Sequence, residues 1–248
     1  MSNTQRNPAY SQLNSAIWEE DFDRFRALIE NGVEANDTEG VDPPLLVLAA
    51  HFGLTQFVRL LIEAGTDFNK RSLEEGWAAL HRAAWRDTKN ENLNHRRTEV
   101  ARCLLDAGAD INIRTSDGRT PLMCAAEHAH VAMVELLIAA GADLWIENDA
   151  GRCALDRAYG DRIALESYHA EVRIVMRLYE AMGMDIGSTA WRGETIEQYF
   201  SSFGVDAAQH VRAKIAEKRQ AEIFSAIDCS EEVATMNSVV NRKEAIVL

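Results

Sequence analysis

Residues 118–143, GRTPLMCAAEHAHVAMVELLIAAGAD, decide the fold. Thr120 is a hydroxyl residue suited to cap a helix, and Pro121 follows it in a first turn where a missing N–H costs nothing. Ala125 and Ala126 are small enough to let neighbouring helices approach closely. After a break around His128 and His130, the residues Val131, Val134, Leu137 and Ile138 recur at helical spacing. They predict a second helix with one apolar stripe, not an alternating strand. Gly141 is placed to end that helix by turning left-handed.

The same unit recurs on both sides. Upstream lie LNSAIWEEDFDRFRALIENGVEAN (13–36), PPLLVLAAHFGLTQFVRLLIEAGTDFN (43–69) and GWAALHRAA (76–84) with TEVARCLLDAGADIN (98–112). Downstream lie GRCALDRAYG (151–160) and AEVRIVMRLYEAMGMDI (170–186). The glycines predicted to close the second helices, Gly32, Gly65, Gly108, Gly141 and Gly183, are separated by 33, 43, 33 and 42 residues. A period of this size means a solenoid, in which stacking supplies the core that one helix pair cannot build.

Gly118, Thr120, Pro121, Leu122, Ala125, Ala126, Val134, Leu136, Leu137, Gly141, Ala142 and Asp143 together resemble an ankyrin repeat. The resemblance covers roughly residues 10–186. It implies an all-α solenoid of about six helix-turn-helix units, with short hairpin fingers between units. Departures exist: PPLLVLAA replaces TPLHxAA in repeat two, AALHRAA stands in repeat three, and Met123 holds the usual histidine position in repeat four. His81 falls on that histidine position, which implies a structural role between adjacent repeats.

The predicted organisation is an extension over residues 1–9, repeats one to five over 10–192, a degenerate capping repeat over 193–228 and a tail over 229–248. The polar leading helix around Asn14, Ser15, Trp18, Glu19 and Glu20 reads as an N-terminal cap. The two long steps place about ten extra residues in repeats three and five, near 87–97 and 161–170, between the two helices of each unit. Two readings stand: tolerated surface insertions, since loop lengthening costs little, or added binding surface.

Composition narrows the function. The chain has 248 residues, 47% hydrophobic, with 39 acidic against 26 basic side chains and a formal net charge of -13. A phosphate-gripping domain needs a basic surface, so nucleic acid is not an expected partner. The sequence has no run of apolar residues long enough for a membrane span and no basic-then-apolar start of a secretory signal. Cys103, Cys124, Cys153 and Cys229 are 21, 29 and 76 residues apart, without a CxxC pair. A reducing, cytosolic setting is expected, with cysteines acting as small hydrophobes.

Catalytic signals are few. HExxH, GxSxG, GxxxxGK[ST] and GxGxxG are absent from the sequence, and each is the mark of a specific chemistry. Cys124 and His128 share a helix face, but His130 points elsewhere and a metal needs three or four convergent ligands. The histidines therefore read as surface groups, and no cofactor, metal or enzymatic activity is expected. Adjacent acids such as Glu74 and Glu75 do not face each other on a helix.

What remains is recognition. The ankyrin resemblance implies binding through hairpin tips and the exposed side of the first helices, which line a concave groove. Carried over by position, this gives Trp18, Glu19, His51, Phe52, Glu74, Glu75, Trp77, Trp85, Arg86, Ser116, Asp117, Arg119, Glu127, His128, Asp149 and Arg152. Aromatic residues and arginine dominate interface hot spots, and three tryptophans and a phenylalanine are expected exposed there; the alternative is packing against neighbouring helices. Residues 19–42 carry nine acids and two bases, a field that would steer a basic partner or simply solubilise a cap. The expected protein is a monomeric, non-catalytic, protein-binding module. One form of it resembles immunity proteins that cover a basic toxin or enzyme; the alternatives are an adaptor and an enzyme hidden in the insertions or C-terminal region.

Overall fold

The computed structural model describes residues 8–35, 43–87, 89–158, 168–185 and 195–201, with 191, 193, 209, 211–213, 215–217 and 220. The chain divides into two compact units, Met1–Met184 and Asp185–Leu248. In the first, five helix pairs follow one another: α1 (Pro8–Trp18) with α2 (Phe22–Glu30), α3 (Leu45–His51) with α4 (Thr55–Glu63), α5 (Ala79–Ala84) with α6 (Glu91–Asp106), α7 (Pro121–Glu127) with α8 (Val131–Ala139), and α9 (Ala154–Ala158) with α10 (Tyr168–Ala181). In the second lies α11 (Ile196–Ser201). All regular elements among the described residues are helices, as the sequence predicts.

Each first helix packs on the next, α1 on α3, α3 on α5, α5 on α7 and α7 on α9, while α2, α4, α6, α8 and α10 form a second row. The alanine pairs sit at the contacts: Ala49, Ala50, Ala83, Ala84 and Ala125 have no exposed surface. Thr120 caps α7 by accepting the Met123 N–H at 3.4 Å, with Pro121 in the first turn. Gly141, at φ +88, ends α8, and the Ala142 N–H donates back to the Leu137 carbonyl at 3.0 Å. The same bond follows the other four closing glycines. In α8 the fully buried residues are Met133, Val134 and Leu137, with Val131 and Ile138 half-buried. The apolar stripe is therefore turned slightly from the one the spacing suggested.

Hydrogen bonds join successive repeats. Asn69 Oδ1 accepts the Asp110 N–H at 2.9 Å, and Asn112 Oδ1 accepts the Asp143 N–H at 3.0 Å. The next position in this series is Trp145. Finger to finger, the Ser116 N–H donates to the Glu75 carbonyl at 3.0 Å and the Asp149 N–H to the Asp117 carbonyl at 3.2 Å. His81 is fully buried; its Nδ1 accepts the Ala78 N–H at 3.2 Å and its Nε2 lies 3.0 Å from the Arg119 carbonyl oxygen. Since Nδ1 is the acceptor, Nε2 carries the proton and donates, which is the bridging role the resemblance implied.

The insertion of repeat three is helix, not loop. Residues from Glu91 onward extend α6 to 16 residues, against 9 for α4 and α8. Asn90 caps it, accepting the Leu93 N–H at 3.0 Å. Asn94, Arg97 and Thr98 are buried there. Arg97 donates from Nε to the His51 carbonyl at 2.7 Å and from Nη1 to the Trp85 carbonyl at 2.9 Å. One guanidinium thus caps the C-terminal ends of α3 and α5, where orphan carbonyls and the helix dipoles favour a cation. The added turns cross Gly53, whose φ is +64 and whose absent Cβ would lie 2.9 Å from Arg96 Cβ. Equivalent turns in repeats one and four place Glu20 and Ala129 at φ +53 and +52. The insertion of repeat five falls mostly outside the described residues.

His130 is buried rather than on the surface, 3.4 Å from both the Ala84 carbonyl oxygen and Thr98 Oγ1. Burial, helped by Arg97 at His51 and His130 and by Arg119 at His81, holds all three rings at a pKa of about 4.

Two predictions follow from these contacts. Folded rings stay neutral down to about pH 4, whereas an unfolded histidine protonates near 6.5, so unfolding takes up protons between those values. Stability is therefore flat above pH 7 and falls as pH drops from about 6.5 towards 4, by up to about 1.4 kcal/mol per pH unit for fully buried His81. Urea midpoints at pH 7.5, 6 and 5 measure it, and His81→Gln shallows the slope. Separately, Gly53→Ala loses about 2 kcal/mol through backbone strain and collision with α6, while Ala129→Gly changes stability by less than about 1 kcal/mol because relief of strain offsets added chain entropy.

Candidate protein-binding surface

The finger turns share one construction. Ser72 Oγ accepts the Trp77 N–H and Thr115 Oγ1 the Arg119 N–H, both at 2.9 Å, and Asn148 Oδ1 accepts the Arg152 N–H at 3.0 Å. Between those partners the finger of repeat three holds Leu73, Glu74, Glu75 and Gly76, one residue more than its neighbours. The surplus residue, Leu73, is 69% exposed. Glu74, Glu75, Ser116, Asp117 and Asp149 stand exposed along this hydrogen-bonded row, and Arg152 is exposed just after its last turn.

Behind the fingers, aromatic rings cluster twice. Trp18, 62% exposed, meets the half-buried Phe52 ring edge-on at 4.8 Å, and Phe52 meets half-buried His51 at 5.1 Å. Trp85, half-buried, lies 5.5 Å from Trp77 and 4.0 Å from His128. Arg97 connects the clusters through the carbonyls of His51 and Trp85. Trp77 was expected exposed, and the structure corrects this: it is 2% exposed. Its ring lies under the Arg82 guanidinium at 4.6 Å and near that of Arg119 at 5.5 Å. The position before the helix cap is covered by arginine from its own repeat and the next, so a large ring there fills the stack.

Several carboxylates on this face are paired with arginines. Arg82 holds Glu75 at 3.6 Å, Arg119 holds Asp117 at 2.7 Å and Glu127 at 3.4 Å, and Arg157 also binds Glu127. Arg86 lies 3.7 Å from Glu91, Arg114 is 3.5 Å from Asp149, and Arg24 is 2.9 Å from Glu19. Burial works against ionisation of Glu127, yet the Arg157 hydrogen bond and the charges of Arg157, His128 and Arg119 keep its carboxyl below the usual range. Asp117 is likewise lowered against burial by the Thr115 hydroxyl and Arg119.

Of the residues expected to bind, the structure sets the finger acids along one hydrogen-bonded row and the aromatics in two clusters, with Trp77 interior. It adds residues the sequence reading missed: Leu73, Arg82, Arg97 and Arg157, and Trp145, which is 56% exposed. Finger length would have revealed Leu73. Arg82 and Arg157 occupy a helix position that is Leu48 or Cys124 in other repeats, a visible departure from apolar character. A cleft of about 300 Å³ lies elsewhere, among Glu20, Phe22, Leu54, Thr55, Phe57 and Arg96, and contains none of the predicted residues.

Among the described residues no group of three or more His, Cys, Asp or Glu could hold a metal. Burial pushes the Cys124 thiol up to about 12, and the His128 ring nitrogen is instead 2.8 Å from the Cys124 carbonyl oxygen. No described helix is long and apolar enough to cross a membrane.

A stacked helical solenoid with hydrogen-bonded fingers is a scaffold for displaying surface. The family profile of ankyrin repeats in three copies matches residues 13–114 and 91–170; the chain belongs to the ankyrin-repeat family. It is 36% identical over 144 residues to an ankyrin repeat protein of fowlpox virus, covering 55% of this chain and 40% of that one. It is 29% identical over 140 residues to an ankyrin repeat-containing protein of Treponema pallidum, covering 56% and 44%. It is 32% identical over 139 residues to the E3 ubiquitin-protein ligase Ufd4 of Drosophila melanogaster, covering 54% of this chain but 5% of the ligase. The chain thus spans less than half the length of these relatives. Ankyrin repeats make it a protein–protein interaction module, and a protein partner is implied.

Trp77→Ala is expected to cost about 3–5 kcal/mol of stability, as for other buried aromatic truncations. Trp18→Ala, at an exposed site, changes stability by less than about 1 kcal/mol. Thermal unfolding of both variants checks the contrast.

Proposed function

We propose that this chain is a non-catalytic binding module that grips a partner protein through its fingers and the exposed side of its first helices, in the groove these line. The observation that carries the reading is a face fixed before any partner arrives. Finger backbones bond to one another, and Arg82, Arg119 and Arg157 are held by carboxylates. Leu73 and Trp18 nevertheless stay exposed at 69% and 62%. Rigid groups lose little entropy on association, and exposed apolar anchors within a polar surround suit an interface.

In its finer form, the module is a monomeric cytosolic immunity protein that neutralises a basic toxin or enzyme by covering it. The overall charge of -13 supports that reading, since an acidic surface speeds encounter with a basic protein. The second form is an adaptor that uses the region after residue 224 as another contact.

Affinity capture from native lysate, with the captured protein identified and its affinity measured, tests the module. Leu73→Glu should weaken binding by at least tenfold without changing the thermal midpoint; unchanged affinity would count against the finger face. A tight partner with no toxic activity overturns the immunity form. Removing residues after 224 leaves occlusion intact but abolishes the adaptor's second contact.

A further inference from the structure

Two tryptophans of this chain each have a glutamate–arginine pair nearby, and they differ in what covers the ring: Trp77 is 2% exposed and Trp18 62%. Trp77 has a guanidinium over its ring, Arg82 at 4.6 Å, and that arginine is held by Glu75 at 3.6 Å. Trp18 has the ring and the carboxylate but no cation over it among the described residues. Its neighbour Glu19 is fixed in place: Ser15 Oγ donates to Glu19 Oε1 at 2.7 Å, and Arg24 bonds Oε2 at 2.9 Å. The indole is braced edge-on against Phe52, and 62% of the residue remains in solvent.

The charge around it is complementary to a cation. Residues 8–35 contain six carboxylates and two arginines, Arg24 and Arg26, and Arg96 of α6 lies 4.0 Å from Glu20, which leaves three carboxylates in excess. Arg26 is already over Phe22 at 4.7 Å, and Asp23, exposed beside it in sequence, has no ion pair among the described residues. A guanidinium over an indole is attracted by the ring's negative face, and the surplus of carboxylates adds to that attraction.

Resting on the reading of the chain as a protein-binding module, we propose that Trp18 and Glu19 form an arginine-accepting subsite. An arginine on an exposed basic segment of the partner lies across the indole, in the relation that Arg82 has to Trp77, with Glu19 as its counter-charge.

The test titrates the full-length 15N-labelled chain with an acetylated tetra-arginine amide at low ionic strength, following the indole N–H signals. The Trp18 signal is assigned by its loss in Trp18→Leu. Expected is a saturable shift of the Trp18 signal, no comparable shift of Trp145, an apparent Kd at least threefold weaker in Glu19→Gln, and no response to tetra-glutamate. An unmoved Trp18 signal, or equal movement of Trp145, overturns the subsite. Unchanged thermal midpoints in both variants exclude misfolding as the cause. Once a natural partner is in hand, equal affinity for wild type and Trp18→Leu, with loss on Leu73→Glu, overturns the subsite and leaves the module reading standing. Saturable tetra-arginine binding by a chain that captures no protein overturns the module reading and leaves the subsite.

Discussion

A pair of helices of seven and nine residues, as in α3 with α4 and α7 with α8, cannot hide its own apolar face. Everything else in the first unit answers that constraint. Leu46, Ala49 and Ala50 of one repeat become interior only because Leu80, Ala83 and Ala84 of the next lie against them. Helices this short are also marginal on their own, so their ends must be satisfied from outside. His81 and the finger carbonyls do this across repeats. Stability is accordingly shared between repeats and their interfaces, as in other solenoids.

Arg97 shows how the constraint reaches the surface. A buried guanidinium without a carboxylate at hydrogen-bond distance is costly to desolvate, and burial lowers its pKa. Two helix C-terminal carbonyls compensate it, and the same bonds fix where α3 and α5 end. Those ends carry His51, Phe52 and Trp85. The added turns of α6 are therefore hydrogen-bonded to both helix ends that carry the aromatic clusters.

The sequence disclosed whatever repeats. The helix pairs, the Thr120 cap, the closing glycines and the bridging role of His81 all lie at positions that recur or carry a local signature. It was less informative where the answer depends on what packs from a neighbour. Trp77 reads as exposed because it precedes the helix cap, and only Arg82 and Arg119 closing over it make it interior. His130 resembles a surface turn residue until α5 and α6 enclose it. The α6 extension reads as loop because Asn90–Asn94 is polar, and polar residues are buried here by satisfying one another: Asn94 exchanges two 2.8 Å bonds with the Asp87 backbone. Acid counts located the charge of repeat one but not the arginines that pair the finger carboxylates of repeats three to five.

The asparagine series carries a consequence for cooperativity. Asn69 and Asn112 each fasten the start of the next finger, so repeats two, three and four are tied by one bond type at successive interfaces. At the third place stands Trp145, whose side chain has no oxygen to accept an N–H. In a one-dimensional array, melting is governed by nearest-neighbour terms between successive repeats. The fastening of repeats two to four is thereby of one chemical kind, and an unravelling front that crosses Asn112 and then Asn69 meets the same bond twice.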